Sequence, residues 1–129
     1  IGIKDNILTK PGKLSDVEFQ IIKEHPVIGE RICASVQSLQ KILPFIRHHH
    51  EHVNGNGYPD GLSGASIPLG ARIIAIADAY DALTSDRSYR EAFSSTEAIQ
   101  VLLRNSDDQW DPVLVKIFCE EVIPQLTPM

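Results

Sequence analysis

Apolar residues recur at helical spacing along most of this chain and nowhere alternate at a period of two. Phe19, Ile21 and Ile22 open the pattern; Ile28, Ile32 and Cys33 share one side of the next segment; Ile73, Ile76, Ala77, Tyr80 and Leu83 continue it as expected core. Three-and-four spacing marks a helix that buries one face, and sustained alternation, the mark of a strand, is missing. The chain therefore reads as all-α.

Boundary residues divide the pattern into helices. Ser15-Asp16-Val17-Glu18 is a capping box, so a first helix is expected from there to about His25, where Pro26 interrupts it or opens a new one. A second helix is expected near 27–36 and a third from about Leu39 through His52, with Pro44 near its first turn. Residues 54–64 form a loop, expected to be exposed and mobile because it holds four glycines. The most apolar helix spans about 69–85. Ser94 with Glu97 opens another, to about Arg104, and Asp111-Pro112 starts a last helix that ends before Pro124. Residues 1–14 read as an extended lead-in turning at Pro11-Gly12, and Thr127-Pro128-Met129 as a fraying tail.

Composition narrows the function classes. At 129 residues the chain fits one domain with a real core, and 43% hydrophobic content is that of a globular protein. A net charge of −5 argues against general binding to nucleic acid polymers. Arg, Asp or Pro interrupts every apolar run before it reaches membrane-spanning length, so no membrane insertion is expected. Cys33 and Cys119 lie far apart in apolar helical contexts and read as reduced core cysteines.

The densest chemistry is His49-His50-Glu51, followed by a turn rich in glycine, Asn54-Gly55-Asn56-Gly57. Imidazole and carboxylate together suit Fe, Mn or Zn. Adjacent residues on a helix point about 100° apart. Two ions about 3.5–4 Å apart would therefore use both rings better than one ion would. The bland alternative is a solvated helix end, since four of the five residues 48–52 are histidine. Asp78 stands in the apolar run Ile74-Ala75-Ile76-Ala77-Asp78-Ala79. A buried carboxylate there needs a cation, either a metal or an arginine. Asp81 is one turn further on and suits orienting a histidine or capping a neighbour. Arg87 and Arg90 are candidates for gripping phosphate, or for pairing with Asp86 and Glu91. Tyr58 with Pro59 would form a loop wall for a base or a partner protein, or simply close the loop over the core. Trp110, just before an N-cap, reads as a packing anchor.

HHEHVNGNGYPDG at 49–61 resembles the HHE…GYP signature of the HD-GYP family. IPLGARIIAIADAYDALTSDRSYREA at 67–92 resembles its second long motif, and the likeness reaches back through residues 1–32. The resemblance implies an HD-domain-like helical bundle with His25, His49, His50 and Asp78 as metal ligands. It further implies two or more divalent ions, Fe or Mn, and Arg87 and Arg90 on substrate phosphate. Ser88 stands where that motif usually has proline. His48 and His52 match no ligand of the family and read as surface residues. The family's His-Asp pair and the Gly-Lys after it lie before the segment matched by Ile1, so residues 1–129 are expected to be an N-terminally truncated part of the domain. The implied activity is hydrolysis of a cyclic dinucleotide, cyclic di-GMP, in bacterial cytoplasmic signalling. Alternatives are a catalytically silent regulatory module that binds a partner protein at loop Gly55–Gly64, or an HD-type hydrolase of another nucleotide.

Overall fold

A computed structural model describes residues 15–88 and 90–126. The lead-in at 1–14 and the tail at 127–129 lie outside the described residues. Helices account for the regular structure, and among the described residues only isolated β-bridges occur, with no strand.

Helix α1 (Asp16–Ala34) begins at the expected capping box: the Ser15 hydroxyl accepts from Glu18 N–H at 3.2 Å, and the Glu18 carboxylate accepts from Ser15 N–H at 2.9 Å. It does not break at Pro26. One continuous helix replaces the two expected, and Pro26 is fully buried within it. A proline inside a helix forfeits one backbone hydrogen bond and crowds the preceding turn. Packing of the buried ring against the fold outweighs that local penalty.

The third expected helix is also redrawn. A 3₁₀ turn (Gln37–Ile42) leads into α2 (Leu43–His48), which stops four residues short of the expected end. Pro44 sits in the first turn of α2, where its missing N–H costs nothing, and so it fixes where the α-helix begins. Helix α1 packs on α2, and α2 on α3. Both contacts are close. A Cβ on Gly29 would lie 3.3 Å from Ile46, and one on Gly70 only 2.7 Å from the Phe45 ring.

Helix α3 (Leu69–Leu83) is the spine of the second half. Ile76 meets Leu102 of α4 (Ser95–Arg104) and Val115 of α5 (Pro112–Ile117), with Trp110 between them at 6% exposure. Trp110 is thus the packing anchor its position indicated. Ile73 and Ala77, expected in the core, are exposed, Ile73 at 49%. Apolar residues lie around most of the helix, but among the described residues full burial is confined to Ala71 and Ile76.

Both later N-caps form as expected, Ser94 with Glu97 and Asp111 at 2.9 and 3.1 Å from the amides of Val113 and Leu114. Arg72 on α3 binds the Asp111 carboxylate at 2.9 Å and joins the two helices. The last helix runs past Pro124: a π-turn (Phe118–Val122) connects α5 to α6 (Ile123–Leu126). There Ile123 N–H reaches back five residues to Phe118 O. The widened turn accommodates Pro124 without ending the helix. Both cysteines are free and half-buried, and burial pushes the Cys119 thiol pKa up. No helix among the described residues is long and apolar enough to cross a membrane.

Candidate metal centre

His49 and His50 fall just beyond α2 rather than on it: His49 is the C-cap, and a turn follows. A tight turn does not impose the helical divergence of neighbouring side chains. The two rings lie side by side with centroids 4.1 Å apart. Asp78 approaches from α3. One ligand atom from each of His49, His50 and Asp78 lies within 4.8 Å of the other two. All three line a cavity of about 200 Å³, with Ala75, Ala79 and Trp110 around them.

The donor set suits a divalent ion. His49 Nδ1 is 2.8 Å from the Ile46 carbonyl, which can only accept, so Nδ1 carries the proton and Nε2 presents its lone pair. Ligands about 2 Å from a shared ion stand about 3 Å apart, so small side-chain rotations close the observed spacing. His50 is kept neutral. Burial, followed by the charges of His49, His25 and His52, lowers its pKa to about 4. A neutral imidazole is the form that binds metal. His25, half-buried on α1, is close enough to act on His50 electrostatically but is not one of the three converging donors.

Asp78 is exposed, not buried as its apolar surroundings implied. The flanking Ile73 and Ile74 are exposed too, at 49% and 40%, because this side of α3 has no covering element among the described residues. Asp81 is likewise exposed. Burial also lowers the His52 pKa.

Tyr58 stacks on the His50 ring, centroids 5.2 Å apart and planes 16° from parallel, and meets the edge of Phe19 on α1 at 6.0 Å. Burial and then the nearby Asp78 charge raise its phenol pKa. Gly57 lets this happen: a Cβ there would collide with His52 N and lie 2.5 Å from both Glu51 Cα and His50 O. The loop tip, including Asn56, Asp60 and Gly61, is exposed, but its base is tied down.

Glu51, the acid beside the histidine pair, does not join His49, His50 and Asp78. Instead it is buried and turned toward the loop, accepting from the amides of Asp60 and Leu62 at 3.0 Å each. His48 lies 3.2 Å from the same carboxylate and is half-buried, not a surface residue. His48, Glu51 and Asp60 form a second cluster of potential ligands. Arg47 occupies its Asp60 side at 2.8 Å, and a guanidinium there repels a cation. Arg47 also binds Glu30 of α1 at 2.8 Å and lowers the Asp60 pKa. The sequence signal for these roles was an acid and a base set directly before a turn of glycines.

Arg87 is exposed. Arg90 folds back on the end of α3, donating to the carbonyls of Ala82 at 3.2 Å and Leu83 at 3.3 Å, with its guanidinium 4.5 Å from the Phe93 ring centre. That is the placement of a cation at a helix C-terminus.

The site and fold together define an all-helical domain that gathers two histidines and an aspartate from separate elements. The HD domain family matches residues 5–114, and the chain belongs to it. It is 42% identical over 125 residues to a cyclic di-GMP phosphodiesterase of Vibrio cholerae, covering 92% of this chain and 25% of that protein. It is 43% identical over 114 residues to the cyclic di-GMP phosphodiesterase response regulator RpfG of Xanthomonas campestris, covering 87% and 30%. The chain thus spans a quarter to a third of the length of these relatives. Among solved structures, Bd1817, an HDG"Y"P protein from Bdellovibrio bacteriovorus, superposes with a TM-score of 0.69 at 22% identity, over 89% of this chain and 36% of that one.

Proposed function

We propose that this chain carries the metal centre of an HD-GYP phosphodiesterase, and that its substrate is cyclic di-GMP, cleaved in a bacterial cytoplasmic signalling pathway. The convergence of His49, His50 and Asp78 carries this reading. The names of the two relatives supply the substrate class.

In this reading His49, His50 and Asp78 hold divalent ions, Fe or Mn, and His25 joins them from α1. Divalent ions held there would supply Lewis acidity toward water and phosphate. The protein's own contributions are positional. Ile46 O fixes the tautomer of His49, burial keeps His50 unprotonated, and the cavity presents their lone pairs to one side. Tyr58 walls the approach to His50 and offers an aromatic face to a base. Arg87 is free to meet phosphate from solvent, while Arg90 shapes the turn that carries it by capping α3.

Fe and Mn take about four to six ligands, more than these side chains provide to two ions. No histidine in residues 1–129 is followed directly by aspartate. The same shortfall supports a second reading, a non-catalytic module that meets a protein partner at loop Gly55–Gly64.

The test is hydrolysis of cyclic di-GMP by Mn²⁺- or Fe²⁺-loaded protein containing this domain, with products separated by chromatography. Turnover that disappears in D78N and H50A supports the enzyme. Metal-loaded protein without turnover shifts the reading to the module.

A further inference from the structure

Among the described residues, Glu51 is the one fully buried charged side chain, 3% exposed. A carboxylate in such a place needs donors to replace the water it loses. Here the donors are backbone amides. Oε2 accepts from Asp60 N–H and Oε1 from Leu62 N–H, each at 3.0 Å, and His48 Nδ1 lies 3.2 Å from Oε2. These amides belong to the far limb of the turn whose near limb carries Tyr58. The near limb is held by the preceding residue: Tyr58 N–H donates to His50 O at 3.2 Å. Residues 50 and 51 therefore grip the two limbs of one turn, and the ring at the top of that turn lies flat against the ring of His50. Gly57 lets the limbs close this tightly. On the outside, Arg47 pins Asp60 and ties the turn to α1 through Glu30.

We propose that Glu51 is a positioning residue for His50. By holding the far limb of the turn it seats Tyr58 against the imidazole, and so fixes how that ring faces the His49–Asp78 cluster. The functional consequence rests on His50 being a metal ligand; the coupling from Glu51 through Tyr58 to His50 does not. Two acceptor oxygens are essential to the device. A glutamine has the same shape but must turn its NH₂ toward one of two amide donors, leaving that amide unpaired.

The experiment compares E51Q, Y58L and the double variant in the 129-residue chain labelled with ¹⁵N and ¹³C. The first readout is the His50 ring signals, which feel the ring current of the stacked tyrosine. The second is amide exchange at Asp60 and Leu62. The third is affinity for Mn²⁺. In E51Q, both amides are expected to exchange faster. The His50 signals should move in the direction that Y58L moves them, and the double variant should move them no further. Mn²⁺ binding should weaken about tenfold in each single variant and no more than that in the double, because both act through one contact. E51D, which keeps two acceptor oxygens but cannot reach both amides, should fall between wild type and E51Q.

Additive effects, or an unchanged His50 ring in E51Q, would overturn the proposal. So would outright unfolding of both E51Q and E51D, which would assign Glu51 to stability alone. If a longer protein containing this domain binds no Mn²⁺ and cleaves no cyclic di-GMP, the proposed function fails, and the His50 signals still decide the coupling.

Discussion

Substituting Gly57 by alanine isolates the closest backbone approach in the site. The added Cβ would collide with His52 N and stand 2.5 Å from Glu51 Cα and His50 O, where ordinary contact begins near 3.4 Å. None of these atoms is the end of a flexible side chain, so the turn must back away by about 1 Å. Its tethers, the Tyr58 N–H bond to His50 O and the two amide bonds to Glu51, are already 3.0–3.2 Å long and would weaken together. Overpacking typically costs about 1–3 kcal/mol, and rigid neighbours put G57A near the top of that range. Gly64 supplies the control. It sits at φ +51 with nothing within 4 Å of an added Cβ, so G64A carries only the left-handed backbone penalty, about 1 kcal/mol. At roughly 4 °C per kcal/mol for a chain of this size, G57A should lower Tm by about 12 °C and G64A by about 4 °C in thermal melts followed by circular dichroism. G57A should also release the Tyr58–His50 stack and weaken Mn²⁺ binding, which G64A leaves unchanged. A G57A protein as stable as G64A would refute the close approach as the reason for glycine at 57.

Metal binding measured by calorimetry should fall at least tenfold in D78N and in H49A, since each removes one of three converging donors. D111A should cost about 2 kcal/mol in urea unfolding, losing both the cap on α5 and the partner of Arg72, whereas S94A, a cap alone, should cost about 1 kcal/mol. The metal-free protein should lose stability in acid through His50. Its folded pKa of about 4 lies below the ordinary 6.5, so the unfolded chain takes up the proton first, and stability present above pH 6.5 drains away down to about pH 4. At about 1.4 kcal/mol per pH unit the loss reaches about 3 kcal/mol, and H50N should flatten that part of the pH–stability curve.

Helix starts were legible because each is written in a few adjacent residues. The boxes at Ser15 and Ser94 and the cap at Asp111 need no tertiary information. Helix continuations were not, because they depend on what lies alongside. Pro26 stays helical through burial and Pro124 through a π-turn, neither of which local preference records. The convergence of His49, His50 and Asp78 was legible through the family resemblance, since residue type alone left a solvated helix end and an arginine partner open. The role of Glu51 was not, because a carboxylate beside two histidines reads as a ligand until its direction is known. The exposure of Asp78 was not legible for a related reason. Apolar sequence neighbours report what a helix has available to bury, not which side finds a partner.

The hydrogen bonds from Val53 N–H to Gln109 O at 3.1 Å and from Asn54 N–H to Asp108 O at 2.9 Å bear on the order of assembly at the ribosome. The histidine pair is synthesised about 60 residues before the strip of backbone that braces it. At about 5–20 residues per second, the pair waits roughly 3–12 s for that brace. For the first part of the wait the two imidazoles lack Asp78, and for all of it they lack Trp110 behind them. In the proposed reading, an ion arriving early would meet a floppy two-point chelate, and one arriving after the second half has folded would meet a shaped cavity. Maturation of the centre would then be timed by translation of helices α4 to α6.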